Sequence, residues 1–360
     1  MNFEVEAFIT RSGVRIYRIP LYLFPELYGY VHLLITDEIV ALVDVGSGFG
    51  DSNEQLEAGL QAVGTKYAES VGWSDLTHIL ITHAHIDHFG GLPYVRERTQ
   101  APIGIHELDR RVLTGYEERL ATVAGRMNQY LAETGVSAEE REDLMDLYRL
   151  GKQLYASMPV EFTFEAAGMQ LGPLEFVHVP GHSPGQVLIL IDEVMLSGDH
   201  ILAEISPHVA PERLTLNTGL GHYLDSLRRT RPFAERSRLV LGGHNAPFSD
   251  LVGRVGEIWE LSGQRLRRVL ELADTPRTIA EIAHDLFGHA AGYHRLLALE
   301  EAGAYVEYLQ QRGYLGVEDL ELLERADGTP IRYQSVRDGA YHLPELTAAR
   351  SQNGARHVRV

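Results

Sequence analysis

Residues 82–91 read Thr82-His83-Ala84-His85-Ile86-Asp87-His88-Phe89-Gly90-Gly91, which puts three imidazoles and a carboxylate within six residues. Side chains two apart share one face of an extended chain, so His83 and His85 can grip one cation. Asp87 and His88 point elsewhere once the chain turns and can serve a second. A core built from such groups would have to find each a partner, so ligation uses this spacing better than a wet histidine-rich loop does. Three later segments repeat the pattern of an apolar run ending in Gly and a ligand-type residue. Residues 174–179 lead into Pro180-Gly181-His182-Ser183-Pro184-Gly185, residues 194–196 into Ser197-Gly198-Asp199-His200, and residues 239–241 into Gly242-Gly243-His244-Asn245. Glycine at these points permits a sharp turn or a close backbone approach.

These four segments, in this order, resemble the metallo-β-lactamase-fold hydrolases over roughly residues 15–250. The resemblance implies an α/β chain folded as a four-layer αββα sandwich with metals at one edge. Carried over residue by residue, His83, His85 and His182 hold one metal, Asp87, His88 and His244 hold a second, and Asp199 bridges them. Asp87 is then both ligand and catalytic carboxylate, and Asp44 lies beneath the metals as support for a ligand imidazole. All seven ligands offer N or O, which suits two divalent ions, Zn before Fe or Mn. A catalytic zinc site keeps a position for water. Two cations about 3.5–4 Å apart can share a hydroxide formed near neutral pH. The expected chemistry is hydrolysis by that bridging hydroxide, without a protein nucleophile.

The neighbouring polar residues sort less sharply. His200 is read as a supporting or structural residue, and His78, His178, His208 and His222 as non-ligands. Asn245 is read either as a substrate-orienting residue or as a turn residue. Tyr223, in Tyr223-Leu224-Asp225-Ser226-Leu227, would either polarise a carbonyl oxygen or pack on the apolar face of a helix.

The elements that must position these residues follow from pattern. Residues 14–19, 31–35, 39–43 and 75–81 read as strands, 53–66 as a helix, and 88–99 as a helix opening from the metal loop. Asp44-Val45-Gly46-Ser47-Gly48 is a Gly-rich loop without the Lys or spacing of a phosphate loop. Residues 107–160 form a helical insert with breaks near Gly115, Gly135-Val136-Ser137 and Gly151. The insert carries Tyr116, Met127, Tyr130, Met145, Tyr148 and Tyr155. It is either a lid over the site or a packing or dimerisation element whose Met and Tyr are core. A hydrolase domain over 1–262 is followed by a small helical, winged-helix-like module over 263–340 and a mobile tail over 341–360.

Composition narrows the function. The chain has 360 residues and a net charge of −18, with no Cys, which excludes disulfides, thiolate ligands and cysteine nucleophiles within it. No basic footprint for nucleic acid is visible, and the segment from Arg254 to Arg312 holds more carboxylates than arginines. No apolar run reaches the ~18–20 residues that span a bilayer, and the first residues lack the basic start of a signal peptide. The expected setting is cytoplasmic, the expected partner a small-molecule substrate, and a homodimer is compatible with the insert. The first expectation is a dinuclear hydrolase of a carboxylic thioester, ester or lactone, similar to glyoxalase II-type thioesterases. The second is a phosphodiesterase, since a short endoribonuclease branch of the family also carries a C-terminal winged helix. The third, from another class, is a non-catalytic regulator scaffolded by metal.

Overall fold

The computed structural model describes residues 4–152, 154–318, 320–321, 328–336, 341–342 and 346. One sheet runs in chain order through β1 (Glu6–Ile9), β2 (Arg15–Phe24), β3 (Leu27–Ile35), β4 (Val40–Val43), β5 (His78–Leu80), β6 (Ile103–Ile105) and β7 (Phe162–Thr163). Its pairings are antiparallel as far as β4 and parallel beyond it. The second sheet contains β8 (Gln170–Leu171), β9 (Leu174–His178), β10 (Val187–Ile191), β11 (Val194–Gly198) and β12 (Leu239–Gly242), in the order β12-β11-β10-β9-β8. Only β11 and β12 pair in parallel there.

Period-two alternation builds the layers. Ile16, Leu34, Val43 and Leu80 of the first sheet meet Phe176, Ile189, Leu196 and Leu241 of the second. Phe164 and Phe176 stack there with ring centres 4.2 Å apart. The opposite face of the first sheet, with Tyr17, Ile19 and Leu21, packs on α1 (Ser52–Tyr67), α2 (Ile86–Phe89) and α3 (Leu92–Arg96). The opposite face of the second sheet meets an outer helical layer, which completes an αββα sandwich. β10 is buried on both faces, with Val187 and Ile189 inward and Leu188 and Leu190 outward. Its unbroken apolar run therefore lacks the alternation that marks an exposed strand.

The expected helix over 88–99 is two short helices. Gly90 and Gly91 lie so close to the Ser47 and Val45 carbonyls that a Cβ would collide with them. Pro93 then starts α3. This break seats the loop carrying His85 and His88 against the Gly-rich loop after β4.

The insert forms α4 (Glu107–Thr114), α5 (Tyr116–Thr134) and α6 (Ala138–Lys152), broken near Gly115 and at Gly135. The outer layer is completed by α7 (Leu220–Ala234), α8 (Leu251–Leu272), α9 (Ile279–Phe287) and α10 (Gly292–Gln311). Met127, Tyr130, Met145 and Tyr148 share one core with Leu296, Leu299 and Tyr305 of α10, so these insert residues are packing groups. Tyr130 donates to the Leu299 carbonyl at 2.6 Å, and Arg295 pairs with Glu140 at 2.8 Å. The expected division at residue 262 falls inside α8. Beyond α10, β13 (Leu315–Val317) pairs antiparallel with β14 (Tyr333–Ser335). Of the expected mobile tail, Tyr341 is buried and its hydroxyl lies 2.9 Å from that of Tyr308, while residues 347–360 lie outside the described residues. Among the described residues no helix is long and apolar enough to cross a membrane.

Candidate metal centre

Four loops at the same edge of the two sheets bring all seven expected ligands together. One ligand atom each from His83, His85 and His182 lie within 4.8 Å of one another, and so do atoms of Asp87, His88, Asp199 and His244. The groups adjoin, since His83 and His88 have ring centres 4.1 Å apart. Asp199 lies between them. Its Oδ2 is 3.2 Å from His244 Nε2 and 3.7 Å from His182 Nε2, and its Oδ1 is 3.4 Å from His88 Nε2. Asp87 Oδ2 is 3.3 Å from His244 Nε2.

The imidazoles are oriented by their other nitrogens. His88 Nδ1 donates to Asp44 at 2.8 Å, His182 Nδ1 to the His208 carbonyl at 2.7 Å, and His244 Nδ1 to the Tyr28 carbonyl at 2.6 Å. Thr82 spends its one hydroxyl proton on Asp44 at 2.8 Å, so its oxygen accepts from His83 Nδ1 at 3.1 Å. Each of these rings therefore turns its Nε2 inward. The Nε2 atoms of His83, His88 and His182 and the Oδ1 of Asp199 are buried without a hydrogen-bond partner. Such orphans are costly, and their convergence with two carboxylates fits divalent cations.

Electrostatics separates the two groups. Burial, reinforced by neighbouring imidazoles, holds His83 and His85 well below the usual histidine range, and burial lowers His182 as well. Burial also disfavours charge on His88 and His244, but the surrounding carboxylates outweigh it. His88 rises well above its ordinary value and His244 is pushed up to about 10. The same attraction overrides burial at Asp87 and Asp199, holding both carboxyls below the usual range.

Several supports carry no mark in the sequence. Asp109 of α4 is fully buried and accepts from Ala84 N, Gly185 N and Ser183 Oγ, each at 2.9 Å. It thereby ties the His83–His85 loop to the His182 loop. Arg18 is buried against the Tyr30 ring and donates to the Asn245 carbonyl, which steadies the turn after His244. Gly181, at φ 141°, lies against the Tyr223 backbone where a Cβ would collide, so the His182 loop sits directly on the start of α7.

For two residues that the sequence read either way, the contacts favour the structural alternative. Tyr223 is buried, and its hydroxyl donates to the His200 carbonyl at 3.0 Å, so it is committed to packing. Asn245 is a turn residue at φ 62°, and its side-chain oxygen accepts from Glu204 N at 3.3 Å. Asp44 sits where the resemblance puts it, also accepting from Thr82 N at 2.8 Å. Buried His200 has its Nε2 3.0 Å from Thr230 Oγ1. His78 and His178 belong to neither donor group, while His208 contributes through its carbonyl.

A family model described as the metallo-beta-lactamase superfamily matches residues 25–274. The chain belongs to that superfamily. It is 22% identical over 289 residues to "Probable metallo-hydrolase YqjP" of Bacillus subtilis (strain 168), covering 77% of this chain and 86% of that one. It is 24% identical over 211 residues to "Metallo-beta-lactamase fold-containing protein ST1585" of Sulfurisphaera tokodaii, covering 57% and 69%. Among solved structures, a metallo-beta-lactamase family protein from Thermus thermophilus aligns with a TM-score of 0.69 at 24% identity, over 89% of this chain and 98% of that one. A beta-lactamase domain protein from Burkholderia ambifaria aligns with a TM-score of 0.68 at 23% identity, over 92% and 93%. Both alignments cover too much of this chain to end at residue 274, so the fold they share with this superfamily member takes in part of the C-terminal segment.

Proposed function

We propose that this protein is a dinuclear metal-dependent hydrolase of a small carboxylic ester, thioester or lactone. The reading rests on one observation, the two adjoining donor groups with the Asp199 carboxylate between them. His83, His85 and His182 would hold one divalent cation, Asp87, His88 and His244 the other, and Asp199 both. Bound there, the pair would supply a water ionised near neutral pH and a Lewis acid for the carbonyl oxygen. The chain's own part is to hold the ligands in place: Asp44, Thr82 and two backbone carbonyls fix the imidazole rings, and Asp109 fixes the loops.

Two exposed apolar side chains accompany the ligand loops. Phe49 follows Gly48, which packs on Gly90, and Ile205 follows Glu204, bonded to Asn245. They would suit a substrate with an apolar part, and a chain of net charge −18 repels polyanions.

The test is metal analysis of the purified protein alongside turnover of ester, thioester, lactone, phosphodiester and RNA substrates. Two equivalents of metal with ester-class turnover is the expected result. RNA cleavage without it would move the protein to the phosphodiesterase reading. Metal-loaded protein inert on every substrate would favour a scaffolded regulator.

A further inference from the structure

The carbonyl that orients His182 belongs to a loop, residues 203–214, that has no regular structure of its own to hold it. One face of α10 grips this loop. The Glu307 carboxylate accepts from Glu212 N at 2.6 Å and from Arg213 N at 3.1 Å. Buried Glu300 also faces the loop, its Oε2 3.2 Å from His208 Nε2, but burial keeps that imidazole neutral and its Nε2 makes no hydrogen bond, so this is proximity and not a tie. Gly303 lies between Glu300 and Glu307, and a Cβ there would stand 3.0 Å from Pro211 and collide with the Tyr130 hydroxyl. Residues 303 and 307 share a helical face at i and i+4, so the Glu307 carboxylate and the close approach address one loop. Arg213 adds an ion pair to Glu133 of α5.

Taking the metal reading of His182 as given, we propose that α10 is part of the metal centre. Glu307 is a positioning residue that holds loop 203–214 so that the His208 carbonyl sets the His182 ring. The site formed by His83, His85 and His182 is then incomplete without the C-terminal segment. Glu307 reaches the metals through the His208 carbonyl, which orients a ligand of the first site, so the effect falls mainly on that site.

The test uses the full-length chain. Hydrogen exchange of the metal-stripped wild type, with and without Zn²⁺, should show slower exchange in α10 as well as in loop 203–214 once zinc binds, because coupling is reciprocal. Protection confined to the ligand loops would overturn the proposal even if the variants misfold. Zn²⁺ titration against a chromophoric chelator is the second arm. Glu307→Ala should weaken one zinc equivalent about 10–100-fold and leave the other within about twofold, whereas Glu307→Gln, which keeps an acceptor oxygen, should restore part of the loss. Native affinity for both equivalents in Glu307→Ala would refute it. His182→Ala separates the two readings. If that variant binds two zincs normally, the ligand assignment has failed; if it loses one while Glu307→Ala loses none, only the role of α10 has.

Discussion

The two donor groups share an edge of the sandwich but store charge differently. His83, His85 and His182 are three imidazoles whose basicity is lowered by burial. Around Asp87, His88, Asp199 and His244, two carboxylates stabilise imidazolium. Their supports overlap but are weighted differently. Asp44 braces His88 directly and His83 only through Thr82, backbone carbonyls orient both His182 and His244, and Asp109 lies beneath the loops of the first group alone. Three imidazoles can therefore accept a cation without first losing protons, while the carboxylate-rich group must exchange protons for it.

Asp199→Ala tests what the groups share and has the largest expected effect. Its carboxylate is the one ligand lying against both, so metal analysis should find both cations lost or severely weakened and activity abolished. Retention of one cation at native affinity would break the bridging role. A mirrored pair of variants comes next. Asp44→Asn sets an amide donor against donors from Thr82 and His88, and should weaken the carboxylate-rich site by about 10–100-fold and the other, which it reaches only through Thr82, by less. Asp109→Asn does the same beneath Ala84, Ser183 and Gly185 and should reverse that selectivity. Equal losses at both sites in either variant would mean that the supports are not separable.

Proton release sharpens the comparison further. The first-group histidines have lowered pKa values and are already neutral near pH 7, so zinc binding there should release almost no protons. His88 and His244 have raised values, so binding there displaces protons, and affinity should keep rising with pH until about 10, where His244 loses its proton, and fall steadily below that. Calorimetric titration in buffers of different ionisation enthalpy reads this directly, and equal release from both sites would contradict the assignment. The smallest effect is expected from Tyr223→Phe. It removes the bond to the His200 carbonyl, costs on the order of 1 kcal/mol by denaturant unfolding, and should leave kcat unchanged. A large fall in kcat at native stability would restore Tyr223 to the chemistry.

What could be read in advance depended on whether a residue acts through its type or through its place. His83, His85, Asp87 and His88 announce themselves because ligand types crowd six residues, and His182, Asp199 and His244 because Gly and a preceding strand frame them. Asp109 looked like any acid in an amphipathic helix, and only its packing under two loops makes it a brace. The His208 and Tyr28 carbonyls are groups that nearly every residue carries, so composition cannot flag them. Tyr223 is the converse, a promising side chain in the right helix whose hydroxyl turns into the core. β10 escaped because burial on both faces removes the alternation that reveals a strand.

Local spacing in the sequence was enough to mark the candidate donor residues and several of the strands and helices, since periodicity and ligand chemistry are local properties, while the αββα layering entered only as what the family resemblance implies. The tertiary structure alone decided that the insert and α10 share one core, that α8 runs through the expected domain boundary, and which groups orient each imidazole. Those relations join residues up to a hundred or more positions apart, and such contacts exist only once packing has brought the segments together.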